Sequence, residues 1–247
     1  MKKPTVLTPE TEAKQVGEIF GTPLKVIGNT WLPVTELGAW GIMAWLAGKR
    51  KPQRSFWSNL GVGGLTTAVL LGSEWCHNLA HAAAAKLTGK PMDAMRIIWG
   101  MPLCVYYDLH DPEVTPRQHM LRALGGPIFN AAAMLLARLL RPFTPQDSVA
   151  REVADVAVGM NTFLWLQAIM PIPGLDGGPI LKWAQVEEGK TPQEADEFVR
   201  KANGVAAPLL AAGSAMAFKK RKHLVGALLG MFAALSTLIF LGKLKEE

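Results

Sequence analysis

Two histidines, His77 and His81, are the residues whose types and spacing most clearly suggest chemistry. They lie four residues apart in a segment that favours a helix, so both imidazoles are expected on one helical face, where they can bind one metal ion. Histidines at this spacing also occur as packed or surface residues. A position at the end of a long uncharged run favours the metal site, because polar side chains within a membrane are costly and usually functional.

Asp176 is the best candidate for a third ligand, which a catalytic zinc ion needs if its fourth position is to hold water. It lies in the segment 170–181, where prolines and glycines interrupt a helix within apolar surroundings. An aspartate at such a break can turn toward a metal ion. The alternative is an aspartate that caps the helix predicted to begin near Pro179.

A glycine-rich element precedes Asn130 in another apolar segment. The small residues Gly125 and Gly126 allow a helix or an extended substrate to approach closely, and Asn130 offers hydrogen-bond donors and an acceptor. The alternative is a glycine-rich packing face on which Asn130 bonds to a neighbouring helix.

Together the three elements resemble the site-2 protease family of intramembrane zinc metalloproteases. That family carries His-Glu-x-x-His on one membrane helix, Gly-Pro-x-x-Asn on the next and Leu-Asp-Gly on a later one. Residues 126–130 and 175–177 match the second and third motifs completely, in the same order and in an apolar setting. The resemblance covers about Phe56 to Leu181, and the ordered combination is more specific than any single motif.

The resemblance implies roles for individual residues. His77, His81 and Asp176 would be the zinc ligands, and zinc would polarise a peptide carbonyl and lower the pKa of its bound water to about 7. The hairpin near residues 97–107 would help to hold an unwound substrate segment in extended form. The substrate-binding residues of the second motif would be Gly126, Pro127 and Asn130.

The first motif departs from the family at the catalytic position. The family has a glutamate directly after the first histidine, whereas this chain has Asn78. A carboxamide cannot take a proton from zinc-bound water, although it can orient that water by hydrogen bonding. Glu74 is one helical turn away on the same stripe, but its side chain leans away from a metal centred between the histidines. Asn78 is therefore assigned to the general-base position, and Glu74 is a less favoured substitute base.

The composition points to a membrane protein. Of 247 residues, 49% are hydrophobic and 19% are charged, and the charges are grouped between long uncharged stretches. The net charge of +6 comes from short basic clusters beside apolar runs, which indicates membrane topology and not nucleic-acid binding. No apolar run follows Met1-Lys2-Lys3, so we expect no cleaved signal peptide.

We predict an all-α multi-pass membrane protein with about six transmembrane helices, since backbone polar groups in lipid must bond internally. A run rich in β-forming residues, Arg96–Tyr107, predicts a small β-hairpin between the second and third helices. The six predicted segments are about Thr30–Ala47, Phe56–Leu87, Gln118–Leu140, Val153–Pro171, Asn203–Phe218 and Leu224–Leu241.

The predicted organisation has a polar N-terminal arm, 1–29, with a short amphipathic helix through Glu10–Phe20, and a membrane domain, 30–242. The protease-like core of that domain is about 56–181, and two further transmembrane helices follow it. With six crossings, the basic loops 48–55, 138–152 and 219–223 lie on one side, which the positive-inside rule assigns to the cytoplasm.

Two classes of function fit these patterns. The first is an intramembrane zinc metallopeptidase that acts on transmembrane segments of other proteins. The second is a non-proteolytic pseudoprotease that binds or sequesters such helices, because Asn78 replaces the general base. The expected cofactor is Zn²⁺, and the expected partners are the lipid bilayer and a transmembrane protein as substrate or client. A metal carrier is less favoured, since a single site does not make a pathway across the bilayer.

Overall fold

The computed structural model describes residues 11–109 and 111–244. Helices cover or overlap all six predicted apolar segments, and the second segment is reproduced at both ends. Within the described residues the elements are β1 Lys14–Ile19, β2 Thr22–Val26, α1 Val34–Arg50, α2 Phe56–Leu87, β3 Ala94–Ile98, β4 Met101–Val105, α3 Pro116–Leu140, α4 Val149–Ala168, α5 Gly177–Glu187, α6 Pro192–Lys219 and α7 His223–Phe240.

Two helical stretches in the described part of the chain are long and apolar enough to cross a membrane, Pro116–Phe143 and His223–Phe240. The prediction of six transmembrane helices is therefore not confirmed. Helix α1 has only 17 residues, and glycine, serine and threonine lower the mean hydropathy of α2. Arg151, Glu152 and Asp155 add charge to the first turns of α4.

The described chain divides into two compact units. The first contains residues 11–114 and 125–165, and the second contains 115–124 and 166–244. The histidine pair belongs to the first unit and Asp176 to the second.

A four-stranded sheet of order β1-β2-β3-β4 lies in the first unit. Strands β3 and β4 form the predicted hairpin, and the residues of its turn, Trp99 and Gly100, have φ of 52° and 91°. Positive φ at both positions is typical of the two-residue turn that matches strand twist. Strand β2 pairs with β3 in parallel, which joins the N-terminal hairpin to the predicted one.

The amphipathic helix predicted through Glu10–Phe20 is wrong where the structure describes it. Lys14–Ile19 is strand β1, antiparallel to β2. The turn residues Phe20 and Gly21 have φ of 52° and 78°, so this hairpin has the same kind of turn as β3–β4. In a short segment, periodicity alone does not distinguish a helix from a strand. Here the segment is a strand because it pairs with β2.

The sheet is packed on the part of α2 that carries the histidines. Ala82 and Ala85 of α2 form a buried cluster with Met92 and with Met95 of β3, all at most 2% exposed. Burial of these side chains fixes the C-terminal half of α2 against the sheet. The sheet therefore positions the histidine-bearing turns of α2.

The basic loops 48–55 and 138–152 lie against each other in the first unit. Arg54 donates to both carboxylate oxygens of Glu152, and Lys51 donates to the carbonyl of Asp147. The hydrogen bond from Arg54 lowers the pKa of Glu152 below its ordinary value. These bonds hold the two loops in direct contact.

The second unit contains α5, α6 and α7 together with the first turns of α3. Helix α6 packs on both of its neighbours and begins with a capping box, in which Thr191 and Glu194 satisfy each other's backbone N–H groups. The buried Lys182 of α5 is paired with Asp196 of α6 at 2.7 Å. These contacts attach α5, the helix that follows Asp176, to α6.

Candidate metal centre

The two histidines of α2 face each other across a short gap. Both are buried, at 7% and 6% exposure, and His77 Nε2 lies 3.1 Å from His81 Nε2. Two nitrogens bound tetrahedrally to one zinc ion at the usual bond length are about 3.3 Å apart. The predicted pair is therefore formed on one helical face, with a separation that fits a shared metal ion.

Helix α3 covers this pair with backbone instead of a side chain. A Cβ added at Gly126 would lie 2.6 Å from His77 Nδ1 and closer still to His81 Nε2, so no larger residue fits. At Gly125 an added Cβ would lie 2.5 Å from the carbonyl oxygen of Ala80, which brings α3 close to α2. Both glycines are required by the close approach of the helices.

Asn130 lies four residues after Gly126, on the same face of α3, and is fully buried. Its Oδ1 is 2.5 Å from His77 Nδ1, and its Nδ2 donates to Asn161 Oδ1 of α4 at 2.8 Å. Asn130 therefore links α3 to both α2 and α4 through its side-chain amide. Pro127 is also buried, within α3.

The imidazole of His81 has a different hydrogen-bond neighbour from that of His77. The backbone N–H of Gly126 points to His81 Nδ1 at 3.4 Å, a long contact. Ligation through His81 Nε2 requires a proton on Nδ1, and that proton cannot coexist with a hydrogen bond accepted there. This long contact and ligation through His81 Nε2 therefore exclude each other, whereas the contact of His77 with Asn130 is compatible with ligation through His77 Nε2.

Asn78, which the sequence predicts at the general-base position, is 7% exposed and hydrogen-bonded through both ends of its amide. Its Nδ2 donates to the backbone carbonyl of Glu74 at 2.9 Å and to the Glu74 carboxylate at 3.3 Å. Its Oδ1 accepts from the Cys104 thiol of β4 at 3.2 Å. Glu74 is thus the direct neighbour of Asn78, as their spacing predicts.

Asp176 occupies the N-cap position of α5, in the second unit. It is half-buried, and its side chain makes no capping hydrogen bond to the helix. The capping hydrogen bond of the alternative reading is therefore not formed, although Asp176 lies at the N-cap position. The next two residues pack against the preceding loop, since a Cβ at Gly178 would lie 2.6 Å from the Ile172 carbonyl oxygen and one at Gly177 would overlap Met170.

Sequence reasoning missed three residues of this region: Ser73, Cys104 and Asn161. Asn161 is buried at 4% and bonds to Asn130 and to Ser73. Its sequence signal is a carboxamide inside the apolar segment predicted for α4, where polar side chains are costly without a partner. Cys104 gave no such signal, because a lone cysteine in a strand is usually a packed residue.

Comparisons with known proteins were made with both sequence and structure. No protein-family model matches the chain, and no curated protein matches it. Among solved structures, the chain is similar to the site-2 protease from Methanocaldococcus jannaschii, at 11% identity and a TM-score of 0.49, over 90% of this chain and 94% of that one.

Proposed function

We propose that this chain is a site-2-protease-like membrane protein that binds zinc through His77, His81 and Asp176 and acts on transmembrane segments of other proteins. The observation that carries the proposal is the pair of buried imidazoles with Nε2 atoms 3.1 Å apart. Two imidazoles and a carboxylate are a ligand set that suits zinc. When bound, zinc would supply a Lewis acid and an activated water molecule.

Exposed apolar side chains support a multi-pass arrangement of six helices. The positive-inside rule supports a cytoplasmic position for the basic loops 48–55, 138–152 and 219–223. Large apolar patches on a protein surface mark contact with a membrane or another protein. Several helices carry large apolar side chains that are more than half exposed, among them Leu37, Ile42 and Trp45 of α1, Trp57 and Leu65 of α2, Leu135 and Leu139 of α3, and Leu224 of α7.

The position of β4 at the edge of the sheet supports the proposal that the substrate binds as an added strand. Strand β4 is the last strand in the sheet, and Cys104 of β4 contacts Asn78 beside the histidine pair. An extended peptide can add to an exposed strand edge through backbone hydrogen bonds. An unwound transmembrane segment bound along β4 would therefore pass the proposed metal site, and the second motif with Gly126, Pro127 and Asn130 would border it.

A second candidate function, binding without cutting, is favoured by one observation. Asn78 cannot accept a proton from water, and its amide is already bonded to Glu74 and to Cys104. The chain would then bind or sequester membrane helices as a pseudoprotease. The two candidates share the metal centre and the binding edge, and they differ only in proton transfer.

We expect the wild-type protein in proteoliposomes to retain a model transmembrane peptide with a helix-breaking centre and to leave it uncleaved. A matched peptide with N-methylated amides at alternate central positions cannot add a strand, so its retention is expected to fall at least about tenfold. Pull-down and mass spectrometry measure retention and cleavage. Equal retention of both peptides would contradict edge binding, and efficient zinc-dependent cleavage would contradict the non-proteolytic candidate.

A further inference from the structure

We propose that Asn161 is a positioning residue for the metal centre. Through Asn130, it fixes His77 in the tautomer that carries its proton on Nδ1 and presents the Nε2 lone pair to a metal. The functional meaning of this inference rests on the proposed zinc site, whereas the hydrogen bonds themselves do not depend on it.

Asn161 of α4 sets the donor-to-acceptor direction of the hydrogen bonds that lead through Asn130 to His77. The Nδ2 group of Asn161 donates to the backbone carbonyl of Ala157 at 2.9 Å and to Ser73 Oγ at 3.0 Å. The carbonyl can only accept, and the Ser73 hydroxyl donates its own hydrogen to the Val69 carbonyl at 2.8 Å. A rotated Asn161 amide would place an oxygen against an acceptor, so Oδ1 must face the other way.

That orientation determines the rest of the chain of bonds. Asn161 Oδ1 faces Asn130 and accepts from its Nδ2 at 2.8 Å. Asn130 Oδ1 therefore faces His77 and requires a hydrogen on Nδ1, 2.5 Å away. A neutral imidazole carries one proton, which leaves Nε2 unprotonated and directed toward His81.

Burial makes this chain of bonds effective. Asn130 is 0% exposed and Asn161 4%, and His77 and Ser73 are also buried. Water cannot readily replace a lost partner there, and buried hydrogen-bonded groups orient one another strongly. Hydrogen-bond partners behind a histidine ligand fix its tautomer, and losing them typically costs about 10- to 100-fold in metal affinity.

The test is the tautomer of His77, read from ¹⁵N-histidine NMR spectra of the metal-free protein. At about pH 8, well above the ordinary histidine pKa of about 6.5, wild type is expected to show the Nδ1–H form. Asn161→Leu removes both the donors and the acceptor, and is expected to give a mixture of tautomers and a zinc affinity about 10- to 100-fold lower. Asn161→Ala removes the same amide without adding bulk and carries the same expectation.

Two matched variants separate positioning from general damage to α4. Asn161→Asp keeps an oxygen that accepts from Asn130, and burial favours a protonated carboxyl whose hydroxyl can donate to the Ala157 carbonyl, so this variant is expected to retain the Nδ1–H form. Thr162→Val removes only a hydroxyl that donates to the Val158 carbonyl one residue along, and should leave the tautomer and the zinc affinity unchanged.

The outcomes distinguish this inference from the proposed function. An unchanged tautomer in folded Asn161→Leu or Asn161→Ala would overturn the role of Asn161, even if the protein binds zinc. A shifted tautomer in a protein whose wild type binds no zinc would leave the positioning role intact and overturn the proposed function.

Discussion

An Asn78→Glu substitution is expected to raise cleavage of a model transmembrane substrate by about 10²- to 10⁴-fold, the usual contribution of positioned proton transfer. Position 78 directly follows the proposed zinc ligand His77 on α2, so its side chain is close to the proposed metal site. The Asn78 side chain is buried beside Glu74 and Cys104. A carboxylate in its place supplies the missing proton acceptor. Mass spectrometry of substrate fragments from proteoliposomes measures the gain, with and without a zinc chelator.

Glu74 complicates this substitution in a predictable way. Its carboxylate lies 3.3 Å from Asn78 Nδ2, so Asn78→Glu would bring two carboxylates together. Two negative charges this close repel each other, which displaces the new carboxylate from the position that the Asn78 amide occupies. The double variant Asn78→Glu with Glu74→Gln is therefore expected to be more active at pH 7 than the single variant.

The matched control for this experiment is Asn78→Gln, which has the length of glutamate and no proton acceptor. It is expected to show no gain in cleavage. An equal gain in Asn78→Gln would contradict the general-base explanation. Zinc-dependent cleavage by the wild type that disappears in Glu74→Gln would instead assign the base to Glu74.

A Gly126→Ala substitution is expected to abolish metal binding. An added Cβ would overlap both imidazoles, at 2.6 Å from His77 Nδ1, and α3 cannot retreat easily because Gly125 lies against the backbone of α2. The rings must leave the arrangement in which their Nε2 atoms face each other. Zinc per chain, measured by elemental analysis after removal of free metal, is expected to fall to near zero.

Gly159→Ala is the control for Gly126→Ala. Gly159 lies within α4, and an added Cβ there meets nothing within 4 Å. This variant is expected to bind zinc as the wild type does, with the same helical content by circular dichroism. Full zinc binding by a folded Gly126→Ala variant would contradict the assigned position of α3 over the histidines.

The local features of the fold were predictable from the sequence. Helix α2 begins after Ser55, whose hydroxyl accepts from the Ser58 N–H, and both of its ends match the predicted segment. The histidine spacing predicted one shared face, and the hairpin followed from β-forming residues around the Trp99-Gly100 turn. Each of these features depends on neighbours within a few residues.

Non-local contacts account for what the sequence did not predict. Strand β1 was predicted as helix, and the parallel pairing of β2 with β3 joins residues about 70 positions apart. The bonds of Asn161 to Asn130 and to Ser73 also cross between helices, and no spacing rule reveals them. Such pairings depend on helix packing, which a single sequence does not specify.

Zinc content is the most direct test of the central claim that the chain holds a metal ion through His77, His81 and Asp176. Purified wild-type protein is expected to contain about one zinc per chain, as a site with three protein ligands predicts. Both His77→Ala and Asp176→Ala are expected to contain almost none, whereas His223→Ala, at the exposed start of α7, should match the wild type. Unchanged zinc in folded His77→Ala or Asp176→Ala protein would contradict the claim.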